Sequence, residues 1–157
     1  MAEHLSNLTK FYVSSAVVTA AVDTVAEYAA LTWVQIANVY DLGEFGDLAN
    51  AVETTNLSES RVRRLKGLVD GGQMDVIVNR DSSDLGQAKL EDARKSIFDY
   101  GVKIVLPDKV TEDGVGTTYF FRGAVLGCRT SLGEADNVVR ATWSIAVNSE
   151  RLEVAAT

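Results

Sequence analysis

The stretch VVRATWSIAVN, residues 138–148, sets Val139, Ala141, Trp143, Ile145 and Val147 in strict alternation with Arg140, Thr142 and Ser144. Successive side chains of a strand point to opposite faces, so a period of two predicts a strand with one dry face and one wet face. Residues 74–80 repeat the pattern through Met74, Val76 and Val78, directly after Asp70-Gly71-Gly72, a strong turn signal. A hairpin or sharp reversal is expected there. Val102, Ile104 and Leu106 make a further short strand, closed by the only proline, Pro107, and by a polar loop over 111–116. Residues 119–128 resume as a long strand in which Gly123 and Gly127 mark bulges or close approaches.

Upstream, residues 11–21 and 33–42 are rich in β-branched and aromatic side chains and are read as strands. Trp33, Ile36, Val39 and Tyr40 also fit a helical spacing. One segment reads as a helix, over about 84–98. Asp84 supplies the cap, Gln87 completes a capping box, Leu90, Ala93 and Ile97 share one face, and Glu91 and Lys95 lie one turn apart. Many strands and one helix predict a mainly β fold: two packed antiparallel sheets forming a sandwich or flattened barrel, flanked by that helix. The 157 residues fit a single domain, 1–157.

Residues 43–72 break the pattern and are expected to form a long polar loop. It opens on Glu44 and Asp47, passes Glu53, and ends in the basic run Arg61, Arg63, Arg64 and Lys66, with no lysine or arginine between Asp41 and Glu59. A long polar excursion from a compact β domain is uncommon unless it is disordered or functional. The basic run admits three readings: a solvated helical turn, a phosphate contact, or a docking surface for acid. In an acidic chain docking is preferred, with Glu44, Asp47 and Glu53 of one copy meeting Arg61, Arg63, Arg64 and Lys66 of the next.

Composition narrows the function classes. An apolar fraction of 46% with 24% charged residues describes an ordinary globular chain, and a net charge of -7 argues against a dedicated nucleic-acid binder. The apolar run at 11–22 is interrupted by serines and a threonine, preceded by Glu3, and too short for a membrane span, so no membrane association is expected. Catalytic chemistry lacks its usual parts. The only histidine, His4, lies near the terminus, and the only cysteine, Cys128, sits in a strand with no histidine positioned to activate it. Gly114 and Gly116 lack the helix and acid of a dinucleotide site, and Asp81, Asp84 and Gly86 lack the alternate-residue spacing of a calcium loop. Carboxylate pairs such as Glu91-Asp92 and Asp108 with Glu112 read as solvated faces. No enzyme, cofactor or metal site is expected.

Taken in order, Trp33, Ile36, Val39 and Leu42-Gly43-Glu44-Phe45-Gly46, then Val52-Glu53-Thr54-Thr55, then Lys66-Gly67-Leu68 and Asp70-Gly71-Gly72 form a recognisable series. It continues through Asp81, Asp84-Leu85-Gly86-Gln87, the run from Tyr119 to Val125, and Asp136-Asn137-Val138-Val139. The set resembles the major tail tube protein of long-tailed, siphovirus-type bacteriophages and gene transfer agents, itself similar to the tube component of type VI secretion systems. The resemblance implies a virion protein, made in the host bacterial cytoplasm, whose copies form rings, usually of six, stacked into a hollow tube. DNA would pass through the lumen without specific binding. A tape-measure protein, a tail terminator and tail-tip proteins are the implied partners, and the 43–72 loop would be the element between rings. No appended immunoglobulin-like domain is expected. Two other readings stand beside this one: the tube of a type VI-like or other contractile injection machine, and a β-sandwich module for a small apolar ligand. The long strands over 119–148 carry few charges, which predicts that their edges pair with a neighbouring copy, and the acidic surplus predicts a negative bore.

Overall fold

The computed structural model describes residues 3–157. The period-two stretches become the centre of one antiparallel sheet. Strand β9 (Arg140–Val147) lies between β8 (Thr118–Ser131) and β6 (Gln73–Asn79), with Trp143 opposite Val76 on one side and Cys128 on the other. Trp143, Ile145, Met74, Val76 and Val78 are fully buried, as the alternation requires. Strand β7 (Tyr100–Val105) pairs with the first half of β8, and β1 (Lys10–Val17) with β7. With β2 (Trp33–Ile36) and β3 (Val39–Asp41), the order is β2-β1-β7-β8-β9-β6-β3, and β10 (Leu152–Val154) is added to β8 opposite β7. Strands β4 (Leu48–Thr54) and β5 (Arg63–Asp70) form a separate two-stranded sheet. The mainly β fold with two antiparallel sheets and a flanking helix is therefore as expected.

The 33–42 segment is two strands, β2 (Trp33–Ile36) and β3 (Val39–Asp41), broken where Asn38 adopts a φ of 60°. These consecutive strands are the two ends of the sheet order, so the sheet curls until its edges meet at Ala37 and Asn38. Asn79 closes the corner by donating its N–H to the carbonyl of Asn38 at 2.8 Å.

The corner is held by the helix. In α2 (Leu85–Lys95), Asp84 accepts from the N–H groups of Gly86 and Gln87 and also from Ala37 at 3.1 Å, joining the cap to the sheet edge. Gln87 does not complete a capping box; its side chain is buried and reaches across to the sheet. Leu90 and Ala93 face the core as expected, whereas Ile97 is 89% exposed because the chain turns extended at Ser96. Glu91 pairs with Arg94 and not with Lys95. A second helix, α1 (Val25–Ala29), was not anticipated, although Thr24 and Glu27 form a complete capping box legible in the sequence. It places Tyr28 in a small satellite core, stacked on Phe120 at 5.7 Å.

One further expectation is corrected. Residues 43–72 are not an irregular loop: most of the segment is the β4–β5 hairpin, and Arg63, Arg64 and Lys66 lie in a strand, not in a helical turn. The edges over 119–148 are consumed only in part within the chain: β9 is paired on both sides and β8 pairs with β7 over 118–123, whereas residues 124–131 of β8 pair with β9 alone. Gly123 and Gly127 behave as read. A Cβ on Gly123 would stand 2.6 Å from the Ala146 carbonyl oxygen, and the register shifts by a bulge between Val125 and Gly127.

Candidate assembly surface

The β4–β5 arm is rooted at its two ends. On the entering side, Gly43 takes a φ of +65°, and Phe45 packs edge-on against Tyr119 at 5.3 Å and stacks on Phe121 at 5.8 Å. On the leaving side, Asp70 accepts from the N–H of Gly72 at 2.9 Å, and Gly72 adopts a φ of +68°, so the chain turns there from β5 of the arm into β6 of the main sheet, with which β5 does not pair. The turn read from Asp70-Gly71-Gly72 is thus the pivot between the arm and the body.

Beyond these roots the arm is open. Every residue of 50–66 is exposed, and the apolar side chains Leu48, Val52, Leu65, Leu68 and Val69 lie in the open, Leu68 at 84% and Leu65 at 57%. Val52 stands opposite Leu65, so an apolar cross-strand pair faces solvent. Between Ala49 and Ala51 the register shifts, and Gly67 and Leu68 of β5 bulge. An isolated two-stranded hairpin is marginal in water, and this one buries almost nothing of its own. Its apolar side chains thus form an exposed patch on the surface of the single chain.

The charged candidates separate along the arm. Glu44 and Asp47 lie at its root, Asp47 lining a cleft of about 570 Å³ with Lys66, Asp70 and Glu150. Glu53 and Arg64 are register partners joined at 3.0 Å, and Arg63 meets Glu59 at 2.5 Å, so these pairs already form within one chain. Arg61, between the two strands, makes no ion pair among the described residues. Sequence reasoning weighed the charges and missed the apolar members Val52, Leu65 and Leu68. Their signal was present: leucines and valines recurring through a stretch otherwise read as polar.

The histidine, cysteine and carboxylates that could carry chemistry do not gather among the described residues. Among the described residues no group of three or more His, Cys, Asp or Glu side chains could hold a metal ion, and no helix is long and apolar enough to cross a membrane. Burial pushes the Cys128 thiol up, with the nearby Glu91 carboxylate adding to it, which is the opposite of an activated nucleophile.

A curled antiparallel sheet, its edges brought together at a helix-capped corner, with a solvent-exposed β arm leaving one side, defines the class of β fold to which the chain belongs. No known family profile matches the chain, and no curated protein matches it in sequence. Solved structures do match in fold. A chain of the anti-feeding prophage baseplate aligns with a TM-score of 0.75 at 11% identity, covering 100% of this chain and 99% of that one. The SPP1 tail tube aligns at 0.63 and 17% identity over 94% of this chain and 76% of that one. A chain from the PVC sheath/tube terminator aligns at 0.66 and 12% identity over 99% and 100%. The fold is therefore that of phage tail tube and contractile injection system tube components, as the sequence resemblance implied.

Proposed function

We propose that this protein is a structural virion component that self-assembles into stacked rings, six copies to a ring, forming the hollow tail tube through which a phage delivers its DNA. The observation that carries the reading is the β4–β5 arm: a hairpin with apolar side chains exposed on a fold shared with the SPP1 tail tube. Exposed apolar surface of this kind is stabilised only when removed from water, and the available occupant in a homo-oligomer is the neighbouring copy.

The charged residues set register in this reading. Arg61 of one copy reaches the acidic root of the next, where Glu44 and Asp47 lie, while Glu53 and Arg64 stiffen the arm by pairing across it. Arg63 and Lys66 flank the same contact. The net charge of -7 suits a bore that must let phosphates slide past without gripping them. A tape-measure protein, a terminator and tail-tip proteins would set length and ends, and the protein has no catalytic role in this scheme.

A second reading has its own support. The alignments with the anti-feeding prophage and PVC chains favour a tube of a contractile injection machine equally. Electron microscopy of the purified protein at rising concentration, read with its elution volume, tests the common core of both. Uniform hollow tubes or rings are expected; a persistent monomer with a bound apolar ligand would overturn both in favour of a binding module. Tubes with a strongly basic bore would contradict the DNA-conduit reading while leaving assembly intact.

A further inference from the structure

At the end of β8 where Thr118 begins, a groove of about 410 Å³ opens between β1, β7 and the loop that follows β7. Leu8, Val105, Leu106, Pro107 and Val115 give it apolar walls, and the charged side chains lining it are all lysines: Lys10, Lys103 and Lys109. Three cations on one groove are unexpected in a chain of net charge -7. Lys103 is the informative one. It is half-buried, lies 4.8 Å above the Tyr12 ring and 5.9 Å from that of Trp33, and forms no ion pair among the described residues. Burial alone holds its ammonium below the usual lysine range, the mark of a cation that lacks a counter-charge. Asp108, an acid of the adjoining loop, accepts instead from the N–H and hydroxyl of Thr117 at 2.6 and 2.5 Å.

The opposite end of β8 carries the complement. The turn at 132–139 follows Ser131, is exposed throughout, and contains Glu134 and Asp136 with no basic residue among them. Leu132 and Val138 flank the acids and are exposed at 66% and 59%. The turn is kept in shape by the left-handed Gly133, with a φ of 62°, and by a bond from the N–H of Asn137 to the Glu134 carbonyl at 3.0 Å.

We propose that the groove of Lys10, Lys103 and Lys109 in one copy receives the 132–139 turn of a second copy, with Glu134 and Asp136 on the lysines and Leu132 and Val138 on the apolar walls. The two surfaces lie at opposite ends of one strand, so they cannot meet within a chain. A contact between different patches is heterologous, the kind that propagates into rings or stacks. The inference rests on the self-assembly reading and adds to it a second contact, distinct from the arm.

Charge exchange tests it. Lys10→Glu with Lys109→Glu alters two exposed residues, and Glu134→Lys with Asp136→Lys alters the turn, so both proteins should melt as the wild type does. Each alone should lower the sedimentable fraction by about tenfold or more at a concentration where wild type assembles. An equimolar mixture should recover assembly to within about twofold, because each reversed groove then finds a reversed turn. Lys103→Met should weaken assembly while leaving the monomer no less stable. Normal assembly by either reversed protein, or no recovery in the mixture, overturns the proposal. If those reversals are silent while changes in the arm abolish tubes, this contact fails and the tail tube reading survives; a wild type that never assembles removes both.

Discussion

The Nε2 group of Gln87 donates to the main-chain carbonyl of Asn79 at 3.0 Å, tying the first turn of α2 to the end of β6. The same side chain accepts from the N–H of Asp81 at 3.0 Å and donates to the Ala37 carbonyl at 3.4 Å. One buried amide thus satisfies backbone groups from both margins of the sheet and closes the corner that neither strand closes alone. Replacing Gln87 with Leu would take this partner from part-buried backbone groups, and a polar group left unsatisfied costs up to about 1–3 kcal/mol. The expected loss is about 2–4 kcal/mol in chemical denaturation, and an unchanged denaturation midpoint would show that water substitutes freely.

Gly86 makes the opposite argument from the one helix propensity suggests. Alanine is favoured over glycine within a helix by up to about 1 kcal/mol. Here a Cβ would stand 2.3 Å from the Gln35 carbonyl oxygen and 2.6 Å from the Ile36 Cα, both main-chain atoms of β2 that cannot step aside cheaply. Gly86→Ala should therefore destabilise by about 1–3 kcal/mol, read as a lowered denaturation midpoint.

Acid should unfold the protein for identifiable reasons. The hydroxyl and then the N–H of Thr117 hold Asp108 below its ordinary 3.8, and the hydroxyl and N–H of Ser83 do the same for Asp81. Glu27 is held below 4.5 first by the Asp23 N–H and then by Thr24, and Glu91 below 4.5 by the Arg94 guanidinium. A carboxylate lowered in the folded state contributes stability that is whole above its unfolded value and lost as pH falls through the folded one. Urea midpoints should be flat from neutral pH to about 5 and fall below about 4. Asp108→Asn should make that fall shallower.

The arm predicts a separation of stability from assembly. Leu65→Ser with Leu68→Ser alters side chains already in solvent, so the monomer should melt within about 0.5 kcal/mol of wild type. Sedimentation of tubes should nevertheless collapse. Reversing Arg63 and Arg64 to glutamate should also abolish or sharply weaken assembly, and tubes of normal yield from that protein would remove the arm from the interface. Breaking only the exposed Glu53–Arg64 pair with Glu53→Ala should cost the monomer less than about 1 kcal/mol.

Several elements are legible in the amino-acid order alone. Residues 138–148 and 74–80 announced themselves because their strands face a dry core on one side and water on the other, and that contrast is written as alternation. The cap at Asp84, the turn at Asp70-Gly71-Gly72 and the bulge near Gly127 were legible for a related reason: each depends on the backbone chemistry of a few consecutive residues. The β4–β5 hairpin was missed because both of its faces are exposed, so no alternation of burial marks it as a strand. The segment at 33–42 reads as one strand in sequence because its split depends on Asn38 turning left-handed at a corner formed by distant residues.

Side-chain direction along a strand and the capping of a helix are local properties, and amino-acid order was enough to specify a β-rich body with a capped helix and a charged excursion. Neighbour relations are not local. Trp143 lies opposite Val76, Gln87 serves both sheet margins, and Lys103 lies on a groove whose acidic counterpart is at the far end of β8, all through packing between residues far apart in the chain. Burial and pairing of that kind are free-energy terms of the whole fold, and only the folded chain decides which edges are consumed and which surfaces stay open for a partner.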